Sequence, residues 1–357
     1  MKKILLMFLL LVFTAVPLYA DDNAIYPNTD AYIPDTAYDL FVENGINTTE
    51  HINFSNVLKS ISGYIKESVS IFLPCFYQLI GAIIVTSLFK RIFDNNNILM
   101  ITKPVTTMSV GAFCIDLIYK LSIKLSASLE RSGEILKGWL PSFSAVTLLG
   151  GGTSSSAASA TSFSAVIGLI EFLLNNALSG LVIICGVLSV FEHSSKLLST
   201  FGIVKHLKKA ILTVIAFSTT MLLSALTFQN VLASRADGIA LRTVKFASAS
   251  FIPIIGSAVG EALRTVSGGV SYLKSSLGLS AAVSIFFVFA PGMISIIICK
   301  IFLRLIAVFA CACGCGSEAK VLDGINDIAD IMLSIIICVS ILSILLIIIF
   351  VFIAFGA

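Results

Sequence analysis

The chain has 357 residues, 57% of them hydrophobic and only 12% charged, with a formal net charge of +3. A soluble domain carries about 25% charged residues, so the composition excludes an ordinary soluble enzyme, and so small a net charge gives no footing for a nucleic-acid partner. The apolar residues gather in blocks of about 20, the helix length that crosses a hydrocarbon core of about 30 Å, and they predict an all-α, polytopic membrane fold.

In chain order, residues 1–20 read as a secretory signal peptide: Lys2 and Lys3, then the apolar run Ile4 to Val16, then Leu18-Tyr19-Ala20 before Asp21. On that reading the mature chain begins outside the cytoplasm. Residues 21–68 form a polar extracytoplasmic segment, acidic at first. From about Asn53 it turns amphipathic, with Phe54, Val57, Leu58, Ile61 and Ile65 at helical spacing and Lys59 and Lys66 on the other side. A short outer tail leading into an interfacial helix is expected there.

A multi-spanning domain follows over 69–357, with apolar blocks at about 69–89, 98–118, 163–191, 210–233, 279–299, 301–315 and 331–355. That amounts to six to seven transmembrane helices, because the second block contains Lys103, Pro104 and Asp116 and the sixth is short. Lys90, Arg91, Lys103, Lys196, Lys205, Lys208, Lys209, Lys300 and Arg304 all fall on the inner side if residue 21 is outside, as the positive-inside rule requires. Two longer outer segments, 119–162 and 234–278, also carry Lys and Arg, spread through amphipathic sequence that suits helices lying in the interface. The C-terminus ends inside if the sixth block spans, and outside if it does not.

A weak internal repeat is visible: block two leads to Trp139-Leu140-Pro141, a small-residue loop and block three, while block four leads to Phe251-Ile252-Pro253, a Gly/Ser-rich loop and block five. Transporters use such duplications, with substrate sites at broken helices.

The sharpest polar feature is Glu171 with Asn175 and Asn176, inside the third block. A carboxylate at membrane depth is costly without a partner. It points either to an ion or proton relay lining a water path or to an interhelical hydrogen-bond clamp. The run Gly150-Gly151-Gly152-Thr153-Ser154-Ser155-Ser156 lacks the lysine of a phosphate-binding loop, and reads as an outer connector or a re-entrant loop. Cys311, Cys313 and Cys315 alternate without a second ligand pair, so no zinc site is expected. Most of the cysteines read as small apolar packing residues. Asp323, Asp327 and Asp330 share one helix face opposite Leu322, Ile325 and Ile328, the pattern of an amphipathic outer helix more than of a cation site. His51, His193 and His206 are scattered. No catalytic constellation, cofactor fingerprint or nucleotide fold emerges.

The stretch 226–278 reads Leu226-Thr227-Phe228-Gln229, Ala236-Asp237-Gly238, Arg242-Thr243-Val244-Lys245-Phe246, Phe251-Ile252-Pro253-Ile254-Ile255-Gly256, Glu261-Ala262-Leu263, then Leu273-Lys274 and Gly278. It resembles the stage III sporulation protein AE family of endospore-forming bacteria. The resemblance extends over the signal peptide, the span pattern and Leu140-Pro141 with its glycine-rich loop. The Cys311–Gly316 run departs from the family, where a proline-bearing segment is expected.

The resemblance implies a non-enzymatic, multi-pass protein of the mother-cell membrane around the forespore. It would be a component of a channel or secretion-like complex that sustains late forespore gene expression through the forespore sigma factor. Its partners would be other stage III sporulation membrane proteins and a forespore-membrane protein. Asp237, Arg242, Lys245, Pro253, Gly256 and Lys274 would be structural or partner-interface positions. Glu171 and the proline-broken helices leave a stand-alone secondary transporter, or an insertase-like protein, as the alternative.

Overall fold

The computed structural model describes residues 32–44, 54–92, 96–174, 180, 182–194, 203–251 and 256–353. The expected signal peptide, Asn175, Asn176 and Pro253 lie outside the described residues. The described chain forms α1 (Asp35–Glu43), α2 (Phe54–Ile92), α3 (Asn96–Leu149), α4 (Thr153–Phe172), α5 (Val182–Ser194), α6 (Ile203–Phe251), α7 (Gly256–Ala312) and α8 (Gly316–Ile353). The fold is all-helical among these residues. The longest element, α7, runs for about 85 Å at 1.5 Å per residue.

Among the described residues, four helices are long and apolar enough to cross a membrane: Val57–Ile92, Lys205–Ala240, Gly268–Ala312 and Gly316–Val351. This corrects the expectation of six to seven. Blocks five and six, 279–299 and 301–315, are one helix, because Lys300 does not end α7 but forms an ion pair with Asp330 of α8. A partnered charge has no need to leave the helix. Within block three the described α-helical parts are α4, to Phe172, and α5, 13 residues from Val182, the latter about 20 Å long. Block two is the first part of α3, a 54-residue helix whose later turns carry exposed charge. The described parts of the segments expected to lie flat are instead continuations of long helices, the ends of α3 and α6 and the starts of α4 and α7.

Two tight turns reverse the chain, and both use a glycine where positive φ is required. Gly151 and Gly314 each have φ 79°. In each, the next residue's N–H reaches back five positions, Gly152 to the Thr147 carbonyl at 3.1 Å and Cys315 to Ala310 at 2.9 Å. The glycine N–H itself bonds Leu148 or Cys311 at 2.9 and 3.1 Å. This Schellman pair satisfies carbonyls that the helix end leaves open. The departure from the family at Cys311–Gly316 is thus a helix stop built on Gly314. The turn separates the cysteines, leaving Cys311 exposed and Cys315 buried.

α7 and α8 pack as an antiparallel hairpin, and glycines let helices approach. A Cβ on Gly278 would collide with Val351, and one on Gly292 would lie 2.7 Å from both Ile336 and Ser128. Trp139 and Phe143 of α3 are fully buried; the Trp139 indole N–H donates to Ser284 at 3.1 Å, and the Phe143 ring lies 4.2 Å from that of Phe350.

The apolar stretches do not share one height. Residues 210–234 of α6, 275–299 of α7 and 331–353 of α8 carry no charge, each about 35 Å long. They share one boundary, the start of the α6 and α8 stretches and the end of the α7 stretch, because Lys208, Lys300 and Asp330 meet in one cluster. The charge-free stretch of α2, 68–89, is displaced: Ser68 meets Ser295 at 2.7 Å and Ser87 donates to the Cys313 carbonyl at 2.9 Å. It lies beside 295–313 of α7, about 30 Å nearer the Gly314 turn than 275–299. Together the two tiers extend for about 60 Å, twice a hydrocarbon core.

Candidate functional site

Three polar clusters mark the ends and the middle of these tiers. At the glycine-rich loop, α4 begins after Gly152, an N-cap residue with no side chain to cap the helix. Asp237 of α6 supplies the missing acceptor. Its carboxylate takes the backbone N–H of Ser154 at 2.9 Å and of Ser155 at 2.7 Å, a charge placed where the helix dipole favours it. Below it, the Asn230 amide donates to Ser162 at 2.7 Å and the Gln229 amide to Thr161 at 2.6 Å, so α6 and α4 are zipped by side chains one to two turns apart. A Cβ on Gly150 would sit 3.0 Å from Val270, which brings α7 to the same loop. One turn on, Lys274 is buried with its ammonium 5.1 Å from the centroid of the Phe350 ring, and it interacts electrostatically with Asp237.

The middle cluster is ionic. Lys208 donates to Asp327 and to Asp330 at 2.6 Å each, and Lys300 pairs with Asp330. It ties α6, α7 and α8 together. At the Gly314 turn, Glu318 is fully buried and accepts from Lys90 at 2.7 Å, Thr106 at 2.9 Å and Thr107 at 3.4 Å. It joins α2, α3 and α8. A carboxylate so enclosed is tolerable only with such partners.

The structure redistributes the residues singled out from sequence. Glu171 is exposed and pairs with Lys137 of α3 at 2.8 Å, both side chains more than half exposed; its hydrogen bond holds the Lys137 ammonium above the usual lysine range. It lies on an accessible α4–α3 seam, not inside a helix bundle. Asp237 and Lys274 are brought together, although 37 positions apart in sequence. Arg242 stands exposed on α6, Lys245 lies further along the same helix, and Gly256 opens α7.

Asp327 and Asp330 belong to the lysine cluster, not to a solvated outer face, and sequence reasoning missed both that and Glu318. The available signal was Lys300 interrupting an apolar run at a height where only a carboxylate partner would make it affordable. Among the described residues no group of His, Cys, Asp and Glu is arranged to hold a metal ion. The described clusters pair cation with carboxylate, or carboxylate with helix N–H. Such pairing fixes helices against one another.

These features define the class: a protein all-helical over its described residues, with four helices of membrane-crossing length among them, joined by buried polar clusters. The chain belongs to the stage III sporulation protein AE family, whose model matches residues 38–356, and this gives it a role in sporulation. It is 25% identical over 154 residues to the stage III sporulation protein AE of Bacillus subtilis (strain 168), a match covering 43% of this chain and 39% of that protein. The aligned part thus spans about two fifths of that relative's length. No solved structure matches the chain.

Proposed function

We propose that this protein is a multi-pass component of the channel, secretion-like in organisation, that joins mother cell and forespore and sustains late forespore gene expression through the forespore sigma factor. It acts as a platform in the mother-cell membrane, with its outer helix ends docking partner subunits. Family membership supports the setting. The observation that carries the platform role is the pair of offset apolar tiers. Phe217 and Phe228 of α6 are 63% and 72% exposed, and Tyr77 of α2 and Val308 of α7 are 65% and 70% exposed. One bilayer core of about 30 Å covers one tier, so the apolar surface of the other is left for protein to cover.

The basic residues Lys90, Arg91, Lys205, Lys208 and Lys209 put the Gly314 turn and the start of α6 on the cytoplasmic side. With α7 continuous and α8 antiparallel to it, the C-terminus then lies outside, with the Asp237 loop. The exposed Lys137–Glu171 pair weighs against the transporter alternative, which needs Glu171 in a closed path.

The test is affinity purification of the full chain from sporulating cells, with forespore gene expression followed in parallel. Wild type should recover the other stage III membrane proteins and the forespore-membrane partner. Arg242→Glu with Lys245→Glu should weaken that recovery, while Glu171→Gln should leave recovery and forespore expression intact. Unchanged recovery with the charge reversals, or loss of expression with Glu171→Gln alone, would count against the platform.

A further inference from the structure

A groove of about 900 Å³ opens on the surface beside the first turns of α6 and the Asp327 face of α8. Its two ends differ in chemistry. One carries Lys205, Lys208 and Lys209; the other is walled by Leu212, Ala216 and Phe217. The order follows from sequence: α6 begins at Ile203, its lysines fall in the first two turns, and charge is then absent until Arg235. The groove therefore runs from a basic head to an apolar tail along the axis of a membrane-length helix.

Charge does not cancel at the head. Lys208 is held by Asp327 and Asp330, and Lys300 shares Asp330. Lys205 and Lys209 are exposed on the first turns of α6 and line the groove, with Arg304 adding a further positive charge beside Lys300. The α6 N-terminus contributes its positive dipole end in the same place. An anion is attracted here, but an anion alone would leave the Leu212–Phe217 wall in contact with nothing suited to it. The opening lies at the end of an apolar stretch, the position at which a lipid headgroup meets its acyl chains.

We propose that this groove binds an anionic phospholipid, its phosphate on Lys205 and Lys209 and its acyl chain along Leu212, Ala216 and Phe217. The bound lipid extends the Lys208–Asp330–Lys300 cluster outward and couples the seating of α6 against α8 to the anionic lipid content of the leaflet. This assignment does not depend on the partners named above.

The full chain, purified in detergent and stripped of lipid, is titrated with phosphatidylglycerol, with phosphatidylcholine and with inorganic phosphate, and bound lipid is counted by native mass spectrometry. Phosphatidylglycerol should be retained in preference to phosphatidylcholine. Lys205→Gln with Lys209→Gln should weaken that retention by about 25-fold, from a factor of about 5 for each lysine. Ala216→Trp, which fills the tail end and leaves every charge in place, should also remove the lipid.

Circular dichroism establishes that each variant is folded. Equal retention of the two lipids, or wild-type retention by either variant, overturns the proposal. So does displacement of phosphatidylglycerol by inorganic phosphate, which would make the site one for free phosphate.

Discussion

Asp237 takes over a task that a helix ordinarily performs for itself. Gly152 stands at the start of α4 where the preceding turn closes tightly: a Cβ would lie 3.1 Å from Thr147 and 3.2 Å from the Asp237 carboxylate. Glycine leaves the N-cap without an acceptor, and the carboxylate arrives from α6, 83 positions away from Ser154. Removing a capping side chain costs about 1–2 kcal/mol. Asp237→Ala should therefore lower the midpoint of thermal unfolding of the full chain in detergent, and Asp237→Asn, which keeps an acceptor, should lower it less. Equal midpoints for wild type and Asp237→Ala would remove the capping role. The sequence singled out Asp237 only through the family resemblance, because a cap supplied by another helix leaves no local pattern. Glu171 is the reverse case. Its surroundings in sequence are apolar, but its helix face is turned to the surface and to Lys137, and a pair so exposed adds little to stability.

At the scale of the element, the helices were legible and their lengths were not. Hydropathy located the apolar parts of α2, α6, α7 and α8, since the cost of unsatisfied backbone in lipid leaves helix as the spanning form. It cut α7 in two at Lys300 because a lone charge is a sound reason to end a span, and Asp330 was read on the wrong face. Glycines in the same helices carry opposite meanings. Gly81 of α2 has open space where a Cβ would go, whereas Gly278 of α7 has Val351 there. Gly81→Ala should raise stability by about 0.5–1 kcal/mol through helix preference. Gly278→Ala should lower it on balance, because overpacking costs about 1–3 kcal/mol and α7 and α8 must separate. Chemical unfolding of the two variants in one detergent checks the signs; the same sign for both would refute this account of the α7–α8 contact.

For the whole molecule, the fold places two chemically different ends about 60 Å apart along the helix axes. The Gly314 turn gathers Lys90, Glu318 and the exposed Cys311; the Gly151 loop gathers Asp237, Lys274 and Phe350. On the proposed topology a membrane-impermeant maleimide should label Cys311 only after the cytoplasmic face is opened, and a reporter fused after Ala357 should be active outside. Labelling of Cys311 in intact cells would invert the orientation.

Composition and hydropathy by themselves determined that the chain is helical and apolar enough for a membrane, because those properties are sums over residues. Only the tertiary structure decided which helices run unbroken, which charges neutralise one another, and that the apolar stretch of α2 sits about 30 Å from those of α6, α7 and α8. Those outcomes depend on partners far apart in the chain, Lys300 with Asp330, Asp237 with Ser154 and Ser68 with Ser295, and no window of sequence contains both halves of such a pair.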